Sequence, residues 1–268
     1  MTVSVESERH LHLPRIFITD ATNIVSLYAL SHLVRSNEEF HVYFQCESDE
    51  DEELVRKICP RAIKEPSGVA KGMERSVVFL REGIDENELK LPIEGYHRFV
   101  LIVSMATGIE NSPFTRLEEL ARNAGYESYC LLRLAPIYQN LESIEPESFD
   151  NEGEFFGVDA EDVGTAVSHI LLDPELHRGE EYTVYCPTSL SLSTIKTVHS
   201  QLPKIHGKRL QEPSTILAAI KSNYWNPSGS VVKNDFGRIT GGEEMSSFEE
   251  FLRRANQSLF HQRFIARH

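Results

Sequence analysis

An α/β fold is what this sequence predicts: a doubly wound parallel sheet with a smaller α/β region on its C-terminal side. Three observations carry it. Short apolar runs alternate with helical patterns through the first half, as parallel strands joined by crossover helices require. The run Ile16 to Ile18 passes through a tight polar turn into the helical spacing Ile24, Leu27, Tyr28, Leu30, Leu33, Val34. A chain of 268 residues, 40% of them apolar, can bury the core that such a sheet needs.

Residues 1–14 are polar and expected to be a flexible tail. Strands are predicted over Arg15–Thr19, His41–Gln45, Ala62–Lys64, Ser76–Leu80, Phe99–Ser104 and Ser128–Arg133. Helices are predicted over Ile24–Arg35, Glu50–Lys57 and Pro113–Ala124, the last ending where Gly125 can take the left-handed conformation. Gly83, Pro92 and Gly95 break the stretch from Leu80 to Phe99, so one covering helix is expected to be reduced or lost. Leu141 to Phe155 is acidic and expected to be a short, mobile lid. Asp159 and Asp162 precede the helical run Val163, Ala166, Val167, Ile170, Leu171, as a cap and its first-turn partner would. A strand over Tyr182–Tyr185 and helices over Leu192–Gln201 and Ser214–Tyr224 follow. A closing helix begins at Ser247, a serine cap with a glutamate nearby.

The net charge of -14 argues against nucleic acid and anionic membrane surfaces as partners. No apolar run approaches the roughly 20 residues that span a bilayer, and Met1 to Arg15 lacks the features of a signal or transit peptide. Cys46, Cys59, Cys130 and Cys186 form no C-x-x-C pair, which points to reduced thiols and a cytoplasmic protein. The eleven histidines are scattered, and no metal site is expected.

The segment from Arg15 to Ser26 has the strand, turn and helix context of a G-x-x-G-x-x-G dinucleotide fingerprint, the mark of a Rossmann-type sheet, with every glycine missing. Asp20, Asn23 and Ser26 stand at the glycine positions. A carboxylate at Asp20 would face the incoming phosphate. At about 4 Å and an effective dielectric near 20, two such charges repel by roughly 4 kcal/mol, about three orders of magnitude in affinity. Asn23 is a residue that tolerates positive φ, and Ser26 is small enough to pack. After the second predicted strand, Glu47 and the run Asp49 to Glu53 stand where a cation for a 2′-phosphate belongs, although acids also suit a helix start.

Segments spread from about residue 15 to residue 256 resemble the NmrA-like branch of the atypical short-chain dehydrogenase/reductases. They are the degenerate turn, His97 to Ser104, Leu117 to Tyr126, Leu131 to Leu141, Gly157 to Val163, the stretch from Gly179 to Val184, Arg238 to Gly241 and Ser247 to Leu252. The resemblance implies a Rossmann-type NAD(P)-binding-like domain over 15–140 and a substrate-side region over 141–268. It also implies NADP(H) as the usual ligand, held around Thr19, Asp20, Asn23 and Ser26, and a small-molecule substrate. Family members include reductases of fungal alkaloid pathways and regulators without catalysis. Ser104 ends the central strand where such proteins keep a hydroxyl, and Tyr138 and Asn140 fall in the segment that lines the substrate cleft. No Tyr-x-x-x-Lys pair follows Ser104. Each of these side chains also has a structural reading: a serine bonded to backbone, or a tyrosine in the core. Two functions stay open: a tailoring enzyme of secondary metabolism with weakened or lost NADPH binding, and a non-catalytic regulator or binding protein. The first could act as a reductase or as a cofactor-independent isomerase or cyclase.

Overall fold

The computed structural model describes residues 13–36, 38–65, 73–81, 84, 99–105, 113–149, 153–203, 213–221 and 233–265. Seven parallel strands form the main sheet: β1 (Arg15–Ile18), β2 (His41–Phe44), β3 (Ile63–Lys64), β4 (Arg75–Phe79), β5 (Phe99–Met105), β6 (Tyr129–Leu134) and β8 (Glu181–Val184). Their order is β3-β2-β1-β4-β5-β6-β8, so the direction of winding reverses between β1 and β4. Ligands of open α/β sheets bind outside the carboxyl ends of the strands at such a reversal. The central strands β1, β4, β5 and β6 are largely apolar on both faces, as expected for a sheet covered by helices on each side.

Among the described residues the helices are α1 (Ile24–Arg35), α2 (Asp49–Ile58), α3 (Pro113–Arg122), α4 (Ala160–Leu172), α5 (Leu192–Val198), α6 (Pro213–Lys221), α7 (Phe236–Thr240) and α8 (Phe248–Ile265). α1 and α4 make the closest helix pair. A Cβ on Gly164 would lie 2.5 Å from Tyr28 Cβ and 2.8 Å from the Ala29 nitrogen, so only glycine allows this approach. Predicted ends agree with the observed ones to within a few residues. Gly125 takes φ 83° after α3, and Ser247 and Glu250 form a reciprocal cap ahead of α8, at 3.1 and 3.2 Å. The predicted Ser214–Tyr224 helix is present as α6, its last three residues lying outside those described. Most of the stretch between Leu80 and Phe99 also lies outside them.

A second cluster of buried side chains, separate from the one around the sheet, gathers Tyr138, Leu141, Ile144, Phe149, Leu192, Ile195, Phe248 and Phe251 among others. It corrects the expectation of a mobile acidic lid. Residues 138–149 wind into two 3-10 turns, and Leu141, Ile144 and Phe149 pin them to this cluster. A short antiparallel pair, β7 (Glu154–Phe155) with β9 (Leu190–Ser191), adds a small second sheet. At the outer edge of β8, Asp235 stands in for a further strand: its N–H donates to Thr183 O at 2.9 Å, and its carboxylate accepts from Thr183 N at 3.1 Å.

Candidate functional site

The carboxyl edge of the sheet is built first by the turn between β1 and α1. Thr19 bridges the reversal point, its N–H and its hydroxyl both donating to Val77 O of β4, at 3.3 and 3.1 Å. The three residues at the glycine positions bond to one another. Asn23 Nδ2 and Ser26 Oγ each donate to Asp20 O at 2.6 Å, and Asn23 Oδ1 accepts from Ser26 N at 2.8 Å. Asn23 is the cap of α1, with φ −69° and ψ 153°. Its tolerance of positive φ is not used: an N-cap residue is extended, and its side chain folds back to the helix. Ala21, Thr22, Asn23 and Ser26 are 0, 1, 0 and 0% exposed, so the middle of the turn offers no open backbone.

The flank after β2 is the start of α2. Ser48 caps it by accepting from Asp51 N at 3.1 Å, and the acids of its first turn face the positive end of the helix. Lys64 of β3, the cation beside this flank, is engaged by Glu52 at 3.0 Å and Asp49 at 3.6 Å. Arg56 and Lys57 pair with Glu52 and Glu53 one turn earlier.

On the other side of the reversal point, Ser104 of β5 is fully buried, and its hydroxyl has no hydrogen-bond partner among the described residues. Asn140 is fully buried as well, in the 3-10 turn after β6. Tyr138 lies inside the second apolar cluster rather than on an open wall. Its ring centroid is 5.1 Å from that of Phe248 and 5.6 Å from that of Phe251. Gly157 makes room for it, since a Cβ there would collide with the ring. Burial first, and the neighbouring Cys186 second, hold the phenol well above its ordinary range, which makes it a poor acid. Arg133 is a structural ion-pair former, reaching Glu118 at 2.9 Å and Glu181 at 3.0 Å.

A charged cluster at the start of α4 completes the edge. Asp159 caps the helix, accepting from Glu161 N at 2.9 Å, and also accepts from Gln139 Nε2 at 2.7 Å. Its other oxygen meets Arg254 of α8 at 2.6 Å, and Arg254 reaches Glu161 at 3.2 Å. Asp162 accepts from Ser246 N at 2.8 Å and from Ser246 Oγ at 3.0 Å. Burial first, and then the charge of Asp159, push its carboxyl up to about 6. The same two causes push the Tyr28 phenol of α1 up to about 12. The sequence had placed Asp159 and Asp162 as caps. Their partners Gln139, Ser246 and Arg254 were not foreseen, because no local spacing marks residues that meet only on folding. Among the described residues, no group of three His, Cys, Asp or Glu side chains comes together to hold a metal ion.

No protein-family model matches the chain, and no curated protein matches it by sequence. Solved structures do resemble it. An NADPH-dependent quinone oxidoreductase from Escherichia coli, complexed with NADPH, is 13% identical with a TM-score of 0.66, over 89% of this chain and 99% of that one. A triphenylmethane reductase from Citrobacter sp., complexed with NADP(H), is 14% identical with a TM-score of 0.64, over 90% and 99%. NmrA, a negative transcriptional regulator in complex with NAD, is 16% identical with a TM-score of 0.62, over 90% and 94%. The chain shares their fold. The likeness to these structures covers 89–90% of its length, and the NmrA-like expectation is supported at the level of the Rossmann-type fold. No described helix is long and apolar enough to cross a membrane.

Proposed function

We propose that the chain is an enzyme of small-molecule secondary metabolism on a reductase scaffold whose NADP(H) site is weakened or lost. The observation that supports this most is the closed turn. A pyrophosphate needs exposed backbone N–H groups at the start of α1. Here Asn23 Oδ1 already takes the Ser26 N–H, and the turn's central residues are buried. The residues therefore do not fit a dinucleotide phosphate, and among the described residues the cations beside the start of α2, Arg56, Lys57 and Lys64, are paired with its acids. A substrate pocket at this edge would work by holding its ligand in a reactive orientation, which by itself lowers a barrier by several kcal/mol. Ser104 is its best anchor, because a buried hydroxyl without a partner gains most from a substrate acceptor. Asn140 would set the orientation of a polar substrate group.

A second reading, a non-catalytic regulator or binding protein, is favoured by the burial of Tyr138. Its raised phenol and aromatic packing suit a structural role better than proton transfer. NmrA shows that this fold also serves regulation.

Calorimetric titration with NADPH and NADP tests the shared premise. We expect no saturation at micromolar concentrations. Micromolar binding would overturn the closed-turn reading and restore ordinary reductase chemistry. Ser104→Ala then separates the two functions. Loss of turnover on a substrate that the protein binds supports the enzyme, and unchanged turnover removes Ser104 from the site. A stoichiometric protein partner recovered together with no turnover would favour the regulator.

A further inference from the structure

We infer that Asp162, set beside Asp159 at the start of α4, is a pH-sensitive clasp on the N-terminal turn of α8, closed in acid and loosened as the pH rises towards neutrality. The cluster holds more negative than positive charge. Arg254, the guanidinium within reach among the described residues, is committed to Asp159 and Glu161. Among the described residues Asp162 has Ser246 as its hydrogen-bond partner and no ion-pair partner. It is 6% exposed, and Asp159 beside it is 2% exposed.

The groups facing Asp162 come from several elements. Asp159 and Glu161 lie on its own helix, and Arg254 comes from α8. Tyr138 from the turn after β6 stands in its field. α1 contributes Tyr28, near Asp159 and Glu161, and His32, near Glu161 and bonded to Thr165 at 3.1 Å. His32 is held below its ordinary value by burial first, so it adds no cation to offset the acids at neutral pH.

Protonated Asp162 keeps both contacts with Ser246: one oxygen still accepts the N–H, and the carboxyl proton is donated to the hydroxyl. Ionised Asp162 keeps them too, but as a buried charge next to another buried charge, which costs free energy. Water reaches it most directly if Ser246 and Ser247 lift away. These two residues lead into α8, which carries Phe248 and Phe251 onto Tyr138. The direction follows from linkage. The closed form raises the carboxyl from 3.8 to about 6, so it binds the proton more tightly than the open form does. Stabilisation of the closed form is complete below the ordinary value and is lost as the pH rises through 6. For one proton with these values, opening rises about tenfold between roughly pH 5 and pH 7 and levels off above.

Amide hydrogen exchange on the full chain, corrected for intrinsic rates, tests this in the peptide carrying Ser246 to Phe251. The expected result is that tenfold rise in wild type and a flat profile in Asp162→Asn. A flat wild-type profile, or a variant with the wild-type slope, would overturn the proposal. If Asp162→Asn fails to fold, Ser246→Ala and a carbon-13 titration of the Asp162 carboxyl decide. We expect a wild-type midpoint near 6, moved upward when the hydroxyl donor is removed. An ordinary carboxylate midpoint, below about 4.5, would refute the clasp.

Discussion

Two helix N-termini meet at the carboxyl edge of this sheet, and they solve the same problem in opposite ways. α1 and α4 lie against each other, and each leaves orphan N–H groups at its start. At α1 the answer is neutral and local: Asn23, Ser26 and the Asp20 carbonyl satisfy one another within a single turn. At α4 the answer is charged and distant: Asp159 and Asp162 draw in Gln139, Ser246 and Arg254. The neutral solution uses the Asp20 carbonyl and two uncharged side chains. The charged one fastens the C-terminal helix and responds to pH.

Substituting the residue that brings the two helices together should have the largest effect. Gly164→Val should cost about 3 kcal/mol or more, because the new side chain meets the backbone of α1 rather than a movable side chain. A urea melt measures it, and a loss under about 1 kcal/mol would mean that the helices need not touch as described. Next comes Arg254→Met, which strips the cation from buried Asp159. Breaking a buried pair costs about 3–5 kcal/mol. Arg254 is 33% exposed, so solvent screening reduces the expectation to about 2 kcal/mol at neutral pH. A second change, Asp159→Asn, should recover part of the loss, and a thermodynamic cycle would show it. The smallest effect is expected at α1. Asn23→Ala should cost about 1 kcal/mol, the usual worth of a cap. That loss should be the same at acid and neutral pH and at low and high salt. A pH-dependent loss would show that the two helix starts are electrically coupled and would end the contrast.

What could be read from the sequence follows the same division. α1 was predicted over its observed span because its apolar spacing is regular. The central strands were legible as apolar runs, and Asp159 as a cap was legible from its place before Val163. In the sequence Asn23 reads only as a residue that tolerates positive φ, and its role as the cap comes from the bonds its side chain makes with Ser26 and Asp20. β7 and β9 passed unseen because two-residue strands carry no period. Acidity suggested a mobile lid over 141–155, whereas Leu141, Ile144 and Phe149, spaced between the acids, decide its position. The charged clasp was out of reach for a plainer reason: Ser246 and Arg254 lie 84 and 95 residues from their partners.

Asp235 has a consequence of a different kind. A sheet normally grows, in evolution or in aggregation, by accepting one more strand at an open edge. At β8 a single residue occupies both bonding groups of Thr183, one with its backbone and one with its carboxylate. An arriving strand would find no vacancy there, and a negative charge in its way. The architecture is thereby finite on that side, and a second molecule cannot extend the sheet past β8 without first displacing Asp235.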